Sequence, residues 1–138
     1  MKPLSVKSFL PGIAWFFVIL YLICMPGDEI PEPTGWWEWI KLIQFDKIVH
    51  MGIFALLVFL FMLPIARAPF SRKKKAELFL LIVLSAIAWG MGTELIQKFF
   101  VPTRFFDMMD FTADSIGATI SYFATRKYLL NHFEHTPE

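Results

Sequence analysis

Long apolar blocks alternate with short polar segments along this chain. Four blocks are almost wholly apolar, at roughly residues 9–25, 48–65, 78–100 and 111–130. A helix that crosses a membrane needs about 20 such residues, because it rises ~1.5 Å per residue through ~30 Å of hydrocarbon. None of the blocks carries the polar stripe of a helix at the surface of a soluble bundle. The pattern therefore predicts an all-α, polytopic membrane protein with four transmembrane helices.

Composition supports this fold class and limits the number of domains. The chain has 138 residues, of which 57% are hydrophobic and 18% charged, whereas soluble domains are nearer 45–50% apolar and about 25% charged. Four spans leave no room for a separate soluble domain, so we predict one four-helix membrane domain over residues 1–138. The sequence has no internal repeat, no nucleotide-binding glycine loop and no pattern typical of nucleic-acid recognition.

The first block begins like a signal peptide, with Lys2 and Lys7 before an apolar core. Signal-peptide cleavage requires small residues, and Tyr21-Leu22-Ile23 provides none. We therefore expect an uncleaved first span. Cys24 is the only cysteine, so an intrachain disulfide is excluded, and we interpret this residue as a small packing side chain.

The Lys and Arg residues predict the orientation in the membrane. Nine of the thirteen lie in the N-terminal segment, between the second and third blocks, or at the end of the fourth. Because basic loops stay in the cytoplasm, we predict a multi-pass protein of the cytoplasmic (inner) membrane with both termini cytoplasmic. The basic run at residues 72–75 is expected to contact anionic lipid head groups.

Small residues and prolines refine the predicted helices. The segments that begin at Ala86 and Ala113 place Gly90 and Gly117 four residues later, which is the small-xxx-small pattern that lets membrane helices approach closely. Pro64 and Pro69 are expected to flank the following loop and stop the second span, because proline cannot donate the hydrogen bond of a helix interior.

The segment between the first two spans is predicted to be extracytoplasmic. Residues 25–33 are rich in proline and acid, which favours an extended chain. Residues 36–44 contain three tryptophans and are expected to form a short amphipathic helix in the membrane interface, where tryptophan is enriched. Two interpretations stay open for this helix: an anchor at membrane depth, or an aromatic platform for a sugar or a lipid head group.

Polar residues gather at the predicted extracytoplasmic ends of spans two, three and four. Helical spacing places the members of each cluster on one face. They are Asp46, Lys47 and His50 on the second span, Glu94 and Gln97 on the third, and Arg104, Asp107, Asp110 and Asp114 before and on the fourth. Ionisable residues are costly in a membrane and are therefore functional-site candidates. We predict that they form a single polar site.

The combined spacing resembles that of a known family. It reads Asp46-Lys47-x-x-His50, then Glu94-x-x-Gln97, then Arg104-x-x-Asp107-x-x-Asp110-x-x-x-Asp114-x-x-Gly117. This pattern resembles the VanZ-like family of small bacterial integral membrane proteins, over about residues 40–125. The family usually has Asn at the position of Asp114, so this chain carries an additional acid. The resemblance implies a cell-envelope protein and a link to resistance to the glycopeptide antibiotic teicoplanin, without defining a reaction.

Two functional hypotheses follow from the polar residues. In the first, Arg104 and Lys47 bind a phosphate or carboxylate, in a lipid-linked cell-wall intermediate or an anionic lipid head group. In the second, the protein is a transferase or hydrolase that acts on a lipid head group. His50 would then be a general base oriented by Asp46, with Asp110 or Glu94 as a general acid.

Two further interpretations remain. A metal site would use His50 with Glu94, Asp110 and Asp114, but the neighbouring cations would repel the ion, so we expect neither a metal nor another cofactor. Alternatively, the cluster is only a packing latch, with Arg104 paired to Asp107 or Asp110 and Lys47 paired to Glu94. The chain would then be a structural subunit, and its partner would be another protein of the envelope.

Overall fold

The computed structural model of the chain describes residues 4–26 and 45–134. Within these ranges the chain is helical: a short 3₁₀ helix, Val6–Phe9, leads into four α-helices. They are α1 (Leu10–Cys24), α2 (Phe45–Arg67), α3 (Arg72–Phe100) and α4 (Met108–Glu134). The predicted acidic segment and the predicted interfacial helix at 36–44 lie outside the described residues.

Three helices are long and apolar enough to cross a membrane: Val6–Cys24, Phe45–Arg67 and Arg72–Phe100. They correspond to the first three predicted spans. The fourth predicted span forms α4, which has 27 residues but is less apolar, because it contains charged residues such as Asp110, Asp114, Arg126 and Lys127. The all-α fold is therefore confirmed with three candidate spans, and the count of four transmembrane helices is not confirmed.

The helix ends follow local rules, with one exception. Ser71 precedes α3, and its hydroxyl accepts a hydrogen bond from the Lys74 N–H at 3.3 Å, as an N-cap residue does. Pro64 and Pro69 were expected to flank the following loop and stop the second span. Pro64 lies inside α2, which continues to Arg67 and ends two residues before Pro69. The missing N–H of Pro64 removes one helical hydrogen bond, but Pro64 and the two residues after it are buried in the bundle.

The core lies where α2, α3 and α4 meet. Val58, Met62, Phe79, Val83 and Ala118 are each at most 5% exposed and belong to one cluster. A second cluster joins α1 to α2 through Ile19, Ile23, Phe54 and Leu57.

The closest approach of two helices brings α4 onto α2 at Gly117. A Cβ atom added to Gly117 would fall on the backbone of Met51. The prediction that Gly117 lets helices approach closely is confirmed. The contact also fixes the depth of α2 relative to α4, which determines the residues that meet at their N-terminal ends.

The two ends of the bundle carry opposite charge. One end brings together the start of α2, the end of α3 and the start of α4, and it holds five acids of the predicted site. The other end has Arg67, the basic start of α3 and the pair Arg126 and Lys127. There Lys75, only 2% exposed, donates a hydrogen bond to the carbonyl of Ala66 at 2.8 Å. This contact joins the end of α2 to the start of α3.

Candidate functional site

Lys47 is the centre of the polar end of the bundle. It lies in the first turn of α2, and its Nζ contacts Asp46 Oδ2 at 2.9 Å, Asp107 Oδ2 at 2.7 Å and Asp110 Oδ1 at 2.5 Å. An ammonium group has three N–H donors, and these three carboxylates use all of them. Lys47 therefore joins α2 to the start of α4 and has no donor left for another anion.

His50 pairs with Asp114 one turn deeper in the bundle. The Nδ1 atom of His50 is 2.9 Å from Asp114 Oδ1, and Asp114 is fully buried. The other ring nitrogen, Nε2, is 3.7 Å from Asp110 Oδ2, which is too long for a hydrogen bond. The imidazole is thus oriented through one nitrogen, while the second makes no hydrogen bond with the residues that the structure describes.

Glu94 attaches the end of α3 to the start of α4. Its side chain is fully buried, and Oε2 accepts a hydrogen bond from the backbone N–H of Asp107 at 2.8 Å. One turn earlier, Gly90 packs so closely that a Cβ added there would lie 3.2 Å from the Asp114 Cβ. Glu94 and Asp114 are therefore neighbours in the interior of the bundle.

Three polar atoms at this end are buried without a hydrogen-bond partner among the described residues. They are Glu94 Oε1, Asp114 Oδ2 and Arg104 Nε. Buried polar groups are normally hydrogen-bonded, and leaving one unpaired costs about 1–3 kcal/mol, or more when it is charged. Two acceptors and one donor are thus buried and unpaired among the described residues of the polar end.

Arg104 lies in the turn between α3 and α4. Thr103 takes up a left-handed conformation with φ 64°, and the backbone N–H of Arg104 donates to the Val101 carbonyl at 3.4 Å. Its guanidinium makes no ion pair with any carboxylate of residues 4–26 or 45–134. Within the described residues, the Arg104 guanidinium is therefore a cation without a carboxylate partner.

Asp107 is the site acid that lies outside the helices, one residue before α4. The hydrogen bond from the Lys47 ammonium lowers the pKa of the Asp107 carboxyl below its ordinary value, and the donation from the Met109 N–H acts in the same direction. Partial burial opposes this shift. Asp107 is therefore a carboxylate at neutral pH and keeps its bond to Lys47.

Seven of the nine predicted site residues form a network of hydrogen bonds and close charge contacts. Asp46, Lys47, Glu94, Asp107 and Asp110 are directly connected, and the His50–Asp114 pair joins it only through the 3.7 Å contact between His50 Nε2 and Asp110 Oδ2. The other two, Gln97 and Arg104, lie at the same end but outside it. Gln97 is 3% exposed, and its backbone carbonyl accepts the hydrogen bond from the Val101 N–H at the end of α3.

Three predicted pairings differ in the structure. His50 was expected to be oriented by Asp46, but its partner is Asp114, and Asp46 forms an ion pair with Lys47. Lys47 was expected to pair with Glu94 and pairs instead with three aspartates. Arg104 was expected to pair with Asp107 or Asp110, but each of these aspartates pairs through one oxygen with Lys47 instead.

Metal-ligand geometry is not formed by these acids. Within residues 4–26 and 45–134, no group of three or more His, Cys, Asp or Glu side chains is placed to hold a metal ion. The point where three carboxylates converge is occupied by the Lys47 ammonium, which is itself the counter-cation of the cluster.

Trp89 was not predicted as a site residue. Its indole Nε1 is buried and has no hydrogen-bond partner among the described residues, whereas the Nε1 of Trp15 donates to the Ile53 carbonyl at 2.9 Å. The sequence contained a signal, because Trp89 lies far from both ends of its apolar block. Tryptophan in membrane proteins is enriched at the interfaces.

No family model, curated protein or solved structure matches this chain. The resemblance to the VanZ-like family, with its implied link to teicoplanin, therefore stays a prediction.

Proposed function

We propose that this chain is a VanZ-like, multi-pass protein of the bacterial inner membrane that binds the head group of a lipid. The lipid would be a lipid-linked cell-wall intermediate or another anionic envelope lipid. The polar end of the bundle would face the outer leaflet, with both termini in the cytoplasm. Binding of such a lipid would connect the protein to the envelope and to tolerance of glycopeptides that act there.

One observation carries this proposal: the polar end does not satisfy its own buried polar atoms. A latch formed only for packing should pair its charges with each other. Among the residues that the structure describes, Glu94 Oε1 and Asp114 Oδ2 lack donors, and Arg104 Nε lacks an acceptor. A ligand that carries both an anionic group and hydroxyl or ammonium groups would satisfy all three atoms.

The cluster then has two parts with different roles. All three donors of the Lys47 ammonium are used by its aspartates. These contacts connect α2 to α4, as the packing-latch hypothesis expects of such a pair. Arg104 is the cation left for a phosphate or carboxylate, which it can bind through two parallel hydrogen bonds. Glu94 and Asp114 would accept hydrogen bonds from the rest of the head group.

A second candidate function rests on the His50–Asp114 pair. An imidazole oriented through Nδ1 with a free Nε2 has the arrangement of a general base. In a hydrolase, Nε2 would take a proton from water, the water oxygen would attack the head-group ester, and Glu94 would protonate the departing alcohol. Within the described chain no hydroxyl side chain bonds His50, and those of Thr112 and Ser115 donate to carbonyls of their own helix. Water is therefore the nucleophile to test.

Native mass spectrometry tests the binding proposal. The protein is purified from its own membranes in a mild detergent as the wild type, Arg104→Gln and Lys98→Gln. Lys98 is the matched control, because it is an exposed cation near the same end of α3. A lipid adduct on the wild type and on Lys98→Gln, but not on Arg104→Gln, supports the proposal.

Two results would contradict it. Equal adducts on all three proteins would show that Arg104 does not select the ligand. No adduct on the wild type, together with loss of folding in Arg104→Gln, would favour the packing latch and a protein partner. The hydrolase is tested by supplying phosphatidylglycerol and measuring head-group release. Release by the wild type but not by His50→Gln, with the adduct retained, would favour the enzyme.

A further inference from the structure

The polar end of the bundle carries more negative than positive charge. Two permanent cations, Lys47 and Arg104, face the five acids of the site: Asp46, Glu94, Asp107, Asp110 and Asp114. Five acids less two cations leave three negative charges if His50 is neutral, and two if it is protonated. A charge that is buried without a counter-charge is costly, so this end favours a ligand that brings positive charge.

The rest of the predicted extracytoplasmic side does not balance this charge. Lys98 lies at the same end, but it is exposed, and its ammonium lies over the ring of Phe99, 5.2 Å from the centroid. Residues 27–44, which are predicted to lie on this side, carry four acids and one lysine. Acids therefore outnumber cations on the whole of this side.

Two acids of the site keep an oxygen without a donor. Glu94 and Asp114 are fully buried, and Glu94 Oε1 and Asp114 Oδ2 accept no hydrogen bond from the described residues. The Lys47 ammonium cannot serve them, because three other carboxylates use its donors. A ligand that stabilises this end would therefore bring hydrogen-bond donors as well as positive charge.

A primary ammonium meets both requirements. It carries a full positive charge and three N–H donors, and its hydrogen bonds to a carboxylate are roughly twice as strong as those between neutral groups. A hydroxyl group donates one hydrogen bond but brings no charge. A trimethylammonium group brings the charge but has no N–H.

The cation that remains for an anionic group lies close to Glu94. Glu94 Oε2 accepts the backbone N–H of Asp107 at 2.8 Å, and Asp107 follows Arg104 by three residues, which span at most ~11 Å of chain. The Asp107 side chain is 43% exposed, so this contact is near the surface of the bundle. Arg104 Nε is buried without an acceptor among the described residues. One head group whose anion and ammonium are a few bonds apart could therefore contact both Arg104 and Glu94.

We infer that the ligand of the polar site is a zwitterionic head group of the phosphoethanolamine type, whose phosphate binds Arg104 and whose primary ammonium donates to Glu94 Oε1. This inference rests on the proposed function, because it takes the head-group site as its starting point and narrows the ligand to a phosphate with a primary ammonium. Asp114, one turn deeper, adds to the negative potential that selects the ammonium.

Native mass spectrometry with added lipids measures this selectivity. The full chain is purified in a detergent that removes its own lipids. Phosphatidylethanolamine, phosphatidylcholine and phosphatidylglycerol with identical acyl chains are then titrated in separately. Phosphatidylethanolamine should bind ~10-fold or more tightly than either of the others, because only its head group brings both the charge and the donors.

Stepwise methylation of the ammonium tests the donors in the wild type alone. The N-methyl, N,N-dimethyl and N,N,N-trimethyl lipids keep the phosphate and the positive charge, while the N–H donors fall from three to none. Affinity should fall along this series. Equal affinity for the first and last lipids would overturn the inference.

Glu94→Gln tests the acceptor. The variant loses the charge but keeps the shape, and its amide oxygen can still accept the Asp107 N–H. It should lose the preference for phosphatidylethanolamine over phosphatidylglycerol. Glu77→Gln is the matched control, because Glu77 is an exposed acid near the opposite end of the same helix, and it should keep the preference.

Thermal unfolding is measured for both variants. An undiminished preference in folded Glu94→Gln would overturn the inference. The methylation series decides the case if Glu94→Gln does not fold.

Arg104→Gln separates this inference from the proposed function. Tighter binding of phosphatidylglycerol than of phosphatidylethanolamine, lost in Arg104→Gln, would overturn the inference and support a head-group site for a purely anionic lipid. Absence of an Arg104-dependent adduct with every lipid would contradict the proposed function itself. Soluble glycerophosphoethanolamine distinguishes the two sources of the head group. Binding as tight as that of the lipid would support the ammonium site and contradict a lipid ligand.

Discussion

Lys47 shows how a single side chain holds the polar end together. Its ammonium contacts three aspartates that would otherwise repel one another more strongly across the α2–α4 contact. We predict that Lys47→Met lowers the stability of the protein by about 3 kcal/mol, at the low end of the cost of removing one partner from a buried ion pair, because Asp46 and Asp107 are partly exposed. Equilibrium unfolding in mixed micelles measures this change.

Lys98→Met is the matched control for that experiment. Lys98 is also a cation at the polar end, but it is exposed and its ammonium lies over the ring of Phe99, 5.2 Å from the centroid. Its replacement should change stability by less than about 0.5 kcal/mol. Equal losses in the two variants would show that the Lys47 contacts do not stabilise the bundle.

Asp107 makes part of this stability dependent on pH. Since its pKa is lowered in the folded protein, its contribution is complete above the ordinary pKa of an aspartate, about 3.9. The contribution is lost as the pH falls through the lower, folded-state pKa. Asp107→Asn should therefore be less stable than the wild type at about pH 6, and the difference should shrink below about pH 4. Thermal unfolding of both proteins across that range measures the convergence.

Removal of charge from Asp46 provides the comparison for this titration. Asp46 is the most exposed of the three partners of Lys47, so Asp46→Asn should have a smaller effect at every pH. If the difference in stability between Asp107→Asn and the wild type stays constant down to about pH 3, ionisation of Asp107 does not stabilise the fold.

The sequence placed the polar residues correctly at one end but not their partners. Helical spacing determines which side chains share a face, and it brought Asp110 and Asp114 onto the stripe that contacts α2. Pairing depends on the relative depth of two helices. Sequence spacing could not show that Gly117 lies against Met51. That contact places His50 opposite Asp114, so Asp46 pairs with Lys47 instead of His50.

At the scale of the elements, the α2–α4 contact is the most sensitive point of the fold. A Cβ at Gly117 would overlap the backbone of Met51, so the two helices would have to separate. We predict that Gly117→Ala destabilises the protein by about 3 kcal/mol, as expected for overpacking that no side-chain movement can relieve. It should also weaken the Lys47–Asp110 and His50–Asp114 contacts, which join the same two helices.

Gly52→Ala is the control, and it has the opposite expected sign. Gly52 is next to Met51 on α2, and nothing lies within 4 Å of a Cβ added there. Replacing a helical glycine by alanine stabilises a helix by roughly 0.5–1 kcal/mol. Unfolding of the two variants under one condition compares them. Similar stabilities would show that α2 and α4 are not in contact at Gly117.

Proline illustrates the limit of local rules for element boundaries. The sequence predicted that Pro64 and Pro69 stop the second span; α2 passes Pro64 and ends at Arg67, two residues before Pro69. A local rule counts the lost hydrogen bond, but it does not count the burial of Pro64, Ile65 and Ala66.

At the scale of the whole molecule, the unsettled feature is whether α4 crosses the membrane. Its average polarity is raised by Asp114, Ser121 and Thr125, which are buried inside the bundle. The side chains that would face lipid include Ile120 and Phe123, both more than half exposed. A helix whose polar residues face its neighbours can cross a bilayer despite its low average hydropathy, so we predict four crossings and cytoplasmic termini.

Single cysteines test this prediction, beginning from Cys24→Ser to remove the native thiol. Phe105→Cys at the polar end should react with a membrane-impermeant maleimide in intact cells, because Phe105 is 83% exposed and predicted to be extracytoplasmic. Lys73→Cys and Asn131→Cys, both exposed, should react only after the cells are permeabilised. Reaction of Asn131→Cys in intact cells, with Lys73→Cys still protected, would mean that α4 does not cross. Protection of Phe105→Cys with reaction of Lys73→Cys would mean that the orientation is inverted, and the polar site would then face the cytoplasm.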